Sequence, residues 1–221
     1  MTSTEALETA PKTPLETALK TIVTPQWLSE HLDDPQVVIA DCRFSLADPL
    51  LGRQQYQTGH IPGAYYLDLN QTLSSPVAEH GGRHPLPDLA ALSQQFSEMG
   101  LDSSQPHASP LVVVYDDSRL AFASRLWWLL RYLGYDRVVV LDGGFSAWQQ
   151  AGYPVTQAIP EPKPGRFEAQ PQTDWVVNVE QVQAAIAQPG VVLVDSREAV
   201  RYRGEQEPID PVAGHIPSAV N

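Results

Sequence analysis

The chain has 221 residues, enough for one large domain or two small ones, and its 43% hydrophobic content excludes a disordered protein. Its 26 acidic and 14 basic residues give a formal charge of -12, which supplies no basic face and excludes nucleic acid as a partner. A single cysteine, Cys42, excludes an internal disulfide, a cysteine-rich zinc site and a Cys-x-x-Cys redox pair.

Residues 1–23 are rich in Thr, Ala and Glu without a continuous apolar run, so they read as a flexible N-terminal tail. Thr24 then caps a helix with Pro25 at its first position. Short, β-branched runs at Val37–Asp41, Leu111–Asp116 and Val138–Asp142 each close on an aspartate. They lack polar alternation, as strands of a parallel sheet buried on both faces do. Helical patterns fall between and after them at Asp88–Met99, Ala121–Leu133 and Phe145–Ala151, with Leu126, Leu129, Leu130 and Leu133 on one face. Strand and helix alternate, so the fold class is α/β with a central, mostly parallel sheet flanked by helices. Pro154, Pro160, Pro162, Pro164 and Pro171 mark residues 156–174 as a semi-extended linker. A further helix, Val179–Ala187, and a strand, Val191–Asp195, follow. No segment reaches the roughly 20 apolar residues of a membrane span, and a cytoplasmic location is expected.

The chain repeats itself. Val37-Val38-Ile39-Ala40-Asp41-Cys42-Arg43 returns as Val191-Val192-Leu193-Val194-Asp195-Ser196-Arg197. Downstream, Gly59-His60-Ile61-Pro62-Gly63-Ala64 returns as Gly214-His215-Ile216-Pro217-Ser218-Ala219. Order and spacing are kept together, so residues 24–155 and 175–221 read as two copies of one unit, the second incomplete.

These motifs, with Leu141-Asp142-Gly143-Gly144-Phe145 and Gly152-Tyr153-Pro154-Val155, resemble the rhodanese family. The tandem arrangement and the stretch Glu207–Gly214 are similar to the two-domain thiosulfate/3-mercaptopyruvate sulfurtransferases. The resemblance implies transfer of sulfane sulfur through a cysteine persulfide, held by backbone N–H groups at the start of a helix. It implies a small anionic sulfur donor and a thiophilic acceptor as partners; no cofactor is expected, the histidines lack the company of further metal ligands, no membrane partner is expected, and the chain is expected to be a monomer. The family's cysteine belongs to the second domain, at a position beyond Asn221, so this chain alone is expected to be inactive and names no catalytic residue. In the first domain Asp116 stands where an active copy carries cysteine, which marks the non-catalytic type. The resemblance assigns Arg201 to the donor anion, since a guanidinium suits a thiosulfonate or carboxylate. Arg197 is either a second donor contact or a structural arginine bonded to loop carbonyls. Asp210, where mercaptopyruvate-preferring members carry arginine, leans towards thiosulfate. Phe44 and Phe122 either line the family's interdomain cleft or belong to the core. Cys42 reads as a packing residue, and His60 and His215 as turn-fixing residues. A non-catalytic rhodanese module with a binding or regulatory role is the alternative function.

Overall fold

The computed structural model describes residues 21–79, 81–105 and 108–221. The chain divides into two compact units after Gln172. The first is built on a five-stranded sheet in the order β1-β5-β4-β2-β3: β1 Ile22–Val23, β2 Val37–Asp41, β3 Ala64–Tyr66, β4 Leu111–Tyr115 and β5 Val138–Leu141. Every pairing in it is parallel, so the mostly parallel sheet expected from sequence is wholly so among the described strands.

Side chains alternate across this sheet, and both faces are covered. Val38, Ala40, Val112, Val114, Val138 and Val140 face one core with α3 (Leu89–Glu98) and α4 (Ala123–Tyr132), which add Leu92, Phe96, Leu126, Leu129 and Leu130. Val37, Ile39, Leu111, Val113, Tyr115 and Val139 face the other with Leu28 of α1 (Pro25–Glu30) and Phe145 and Trp148 of α5 (Gly144–Gln150). That is why the strand segments carry no polar alternation. Thr24 caps α1 as expected, its hydroxyl accepting from the Trp27 N–H at 3.2 Å, and Asp88 caps α3 in the same way.

Three expectations change. The tail was expected to reach residue 23, but Ile22 and Val23 pair with Val140 and Leu141, and Val23 is buried; residues 1–20 lie outside the described residues. The proline-rich stretch 156–174 is not a free linker. Thr156 bridges His60, Lys163 bridges Met99, Arg166 bridges Asp102, and Phe167 is buried against Phe96. Extended, proline-rich chain suits such a strap because it leaves few donors needing partners. The strand expected at Val191–Asp195 is only a single parallel bridge, Val194 to Val220.

Helix α2 (Leu51–Thr58) and strand β3 carried no sequence signal in the first unit, and neither did the short elements at Thr173–Trp175 and Ala199–Tyr202 in the second. The second unit contains a 3₁₀ turn at Thr173–Trp175, α6 (Val179–Ile186) and α7 (Ala199–Tyr202). Asn178 and Gln181 form a reciprocal capping box at the start of α6.

Candidate functional site

At the C-terminal end of β4, where ligands of open parallel sheets commonly bind, the chain turns through residues 116–122 into α4. The carboxylate of Asp116 fills the inside of this turn. Its Oδ1 accepts from the N–H groups of Ser118 (2.8 Å) and Leu120 (3.0 Å), and its Oδ2 from Phe122 (2.8 Å) and Ala123 (2.9 Å). Arg119 and Leu120 both hold positive φ, 54° and 66°, which costs energy for residues with a Cβ. The loop is thus shaped around an anion, and the anion is the protein's own side chain, 1% exposed. Gly144 packs beneath it with φ 59°; a Cβ there would overlap the Asp116 carbonyl oxygen, so only glycine fits.

Cys42 lies one residue past β2 and is 1% exposed. Burial, and then the carboxylates of Asp41 and Asp116, push its thiol well above the ordinary range. Such a thiol is protonated at neutral pH and shielded, the reverse of what nucleophilic sulfur chemistry needs.

The repeated motif folds into the same hydrogen-bonded hook in both units. In the first, Arg43 Nε lies 3.1 and 2.9 Å from the two Asp41 oxygens, while Nη2 donates to Asp41 Oδ2 (2.6 Å) and the Gly59 carbonyl (2.7 Å). In the second, Arg197 Nε lies 3.0 and 3.2 Å from the Asp195 oxygens, and Nη2 donates to Asp195 Oδ2 (2.7 Å) and the Gly214 carbonyl (2.5 Å). Arg197 also reaches Glu207 through Nη1 at 3.4 Å. Each signature histidine stacks on a tyrosine: His60 on Tyr56 at 3.8 Å and His215 on Tyr202 at 3.9 Å between ring centroids. Each tyrosine hydroxyl donates to the alanine carbonyl closing its motif, Ala64 at 2.8 Å and Ala219 at 2.6 Å. The first copy adds a buried hydroxyl, Tyr115, on Asp41 at 2.7 Å.

Arg201 precedes Tyr202 as Gln55 precedes Tyr56, so the second copy carries a cation where the first carries an amide. Its guanidinium forks onto Glu207, with Nε 3.1 Å from both oxygens and Nη2 2.8 Å from Oε1, and Nη2 also meets Asp210 Oδ2 at 2.7 Å. The carboxyls of Asp195 and Glu207 are held down at about 2: Asp195 by the side chain and then the backbone N–H of Arg197, and Glu207 by the Arg201 side chain and then the backbone N–H of Asp210. Asp195, Arg197, Asp210, Val212, Gly214 and His215 are among the residues lining an open pocket of about 460 Å³.

Residues 24–151 match the rhodanese-like domain family. The chain belongs to the rhodanese family. It is 46% identical over 200 residues to a protein of Pseudomonas aeruginosa named as a probable 3-mercaptopyruvate sulfurtransferase, covering 90% of this chain and 69% of that one. It is 32% identical to the thiosulfate sulfurtransferase of Rattus norvegicus, over 91% of this chain and 68% of the relative. Among solved structures it is similar to a 3-mercaptopyruvate sulfotransferase of Escherichia coli, with a TM-score of 0.76 and 32% identity, over 91% of this chain and 74% of that one.

The rhodanese hook thus gathers Arg197 and Arg201 around one carboxylate, Glu207. Phe44 and Phe122 are both buried and pack edge to face at 5.4 Å in the core of the first unit. Asp116 lies inside the loop between β4 and α4. Sequence reasoning missed Tyr56, Tyr202 and Glu207. The tyrosines stand 4 and 13 residues before their histidines, so a fixed spacing cannot find them. Among the described residues, no cluster of three His, Cys, Asp or Glu could hold a metal, and no helix is long and apolar enough to cross a membrane.

Proposed function

We propose that this chain provides the donor-binding framework of a sulfurtransferase that moves sulfane sulfur from thiosulfate or 3-mercaptopyruvate to a thiophilic acceptor. Arg201 binds the donor's anionic group, Arg197 holds the neighbouring loop, and the first unit is catalytically inert. The names of the relatives, one for each donor, support the reaction class. A fork of N–H groups suits a sulfonate or carboxylate oxygen pair equally. We further propose that residues 1–221 form no persulfide of their own.

The observation that carries this reading is the inaccessibility of the one thiol. Cys42 sits behind the sheet's end with a raised pKa, while the anion-shaped loop at the end of β4 holds a carboxylate. A carboxylate cannot carry sulfane sulfur, and a protonated, buried thiol cannot attack a donor.

The test is thiocyanate formation from cyanide, with thiosulfate or 3-mercaptopyruvate as donor, for the full chain and for Cys42→Ser. Both proteins are expected to stay at the uncatalysed rate. Turnover by the full chain, whether lost or kept in Cys42→Ser, overturns the proposal.

A further inference from the structure

The two copies of the hook differ at one nitrogen. In the second, Arg197 Nη1 meets Glu207 Oε2 at 3.4 Å. In the first, Arg43 commits Nε and Nη2 to Asp41 and the Gly59 carbonyl, and Nη1 has no hydrogen-bond partner among the described residues. The Arg43 side chain is only 4% exposed. One face of its guanidinium rests on the Phe145 ring, 4.0 Å from the centroid. Nη1 is nonetheless not sealed in, and Arg43 lines an open pocket of about 420 Å³ within the first unit. A donor held at such a depth without an acceptor is costly, so this edge draws an acceptor from the pocket. Asp117 stands at the same pocket with the opposite capacity. Its Oδ1 accepts from the Ser146 N–H at 2.7 Å, and its Oδ2 has no partner among the described residues. The side-chain amides of Gln54, Gln55 and Gln149, also in the wall, make no hydrogen bond among those residues. Leu51 and Val155 add apolar surface, 37% and 44% exposed. Asp41 already neutralises Arg43, so Asp117 leaves the pocket with a negative charge that repels a further anion.

We infer that the first unit carries a small-molecule site for an uncharged, amide-bearing ligand. The ligand's carbonyl accepts from Arg43 Nη1, its N–H donates to Asp117 Oδ2, and its apolar part lies against Leu51 and Val155. An amide presents acceptor and donor together, which neither an oxyanion nor an ammonium does. The free glutamine amides, which both donate and accept, suit further peptide-like groups. The volume is of the usual size for a small-molecule site, with apolar walls and a few polar groups that fix orientation. The site is independent of the donor reading of Arg201, since all its residues lie in the first unit.

The probe is N-acetyl-leucinamide, titrated into the full, isotope-labelled chain and followed through backbone amide shifts. The Gly59, Asp117 and Phe145 amides are expected to shift saturably in the wild type. N-acetyl-leucine, of equal size but carrying a carboxylate, is expected to bind about tenfold more weakly, by loss of one hydrogen bond to a charged group. Asp117→Asn keeps the acceptor for the Ser146 N–H and puts a donor in place of Oδ2. It should weaken the amide about tenfold for the same reason and remove the preference over the acid. Gln55→Trp, at an exposed helix position, should fill the pocket and abolish binding of both probes with the hook intact. Arg43→Lys should also lose binding; where that variant fails to fold, the Asp117 and Gln55 variants decide, since neither touches the hook. The inference is overturned by the absence of a saturable shift in the wild type, by binding that survives Gln55→Trp, or by an acid bound as tightly as the amide. Unchanged affinity for the amide in Asp117→Asn overturns it as well, as does wild-type affinity in a folded Arg43→Lys.

Discussion

Asp116 shows how one side chain can decide whether a fold performs chemistry. Four backbone N–H groups converge on its carboxylate, from a loop that holds two consecutive residues at positive φ. The carboxylate offsets the cost of that conformation by satisfying donors that are otherwise buried. Asp116→Ala leaves those donors without an acceptor and should lower stability by about 3 kcal/mol, seen as a lower urea midpoint at unchanged slope. Asp116→Asn, which retains a carbonyl acceptor, should lose roughly half as much. An unchanged midpoint in Asp116→Ala would mean that the loop does not depend on its internal anion.

At the scale of elements, the carboxylates of the second hook supply a pH dependence with a definite sign. Asp195 and Glu207 sit at about 2, below the roughly 4 of an unfolded carboxyl. A depressed carboxyl stabilises fully above its unfolded value and loses that contribution as pH falls through its folded value. The loop around Glu207 should therefore hold from neutrality down to about pH 4.3 and loosen progressively towards pH 2. Side-chain carboxyl carbon shifts check this; a Glu207 midpoint near 4.3 would contradict it.

The same elements show what can be read from residues alone. Strands β2, β4 and β5 were legible because both sheet faces are covered, which forces continuous apolar runs. Helix α2 was not, since only Gly52 and Tyr56 of its eight residues are buried. Its position depends on Gly52 packing against the Arg43 carbonyl, a contact no local pattern encodes. The strap at 156–172 was misread for a related reason. Its prolines mark extended chain correctly, but its partners, His60, Met99 and Asp102, lie far away in sequence. Residues 191–195 failed in the opposite direction. Their composition is that of a buried strand, yet Val191, Val192 and Val194 are 48%, 69% and 63% exposed. In the site, the aspartate–arginine and glycine–histidine pairs were legible because they recur. The tyrosines were hidden because the extra residues fall before the helix in one copy and after it in the other.

Across the whole molecule, apolar exposure is uneven. The second unit leaves Val177, Val179, Val192, Val194 and Val212 each more than half exposed, while the first buries nearly all its valines in the sheet. A concentration of exposed apolar side chains is unusual for a solvent-facing surface. An apolar fluorescent dye should therefore bind the full chain and lose most of its signal when the chain is ended at Gln172. The shortened chain should keep a cooperative thermal transition, since the sheet, its two cores and the strap all lie before that point. Equal dye signal from both proteins would place the apolar surface elsewhere.

The pairing of β1 with β5 also governs the timing of folding during synthesis. Ile22 and Val23 emerge first but have no partner until Val140 and Leu141 follow. At the usual elongation rate of roughly 5–20 residues per second, that interval lasts on the order of 6–24 seconds. The sheet's first-made edge is therefore the last to be sealed. From its own synthesis until β5 follows, β4, whose neighbours in the finished sheet are β2 and β5, also has one side open on the ribosome.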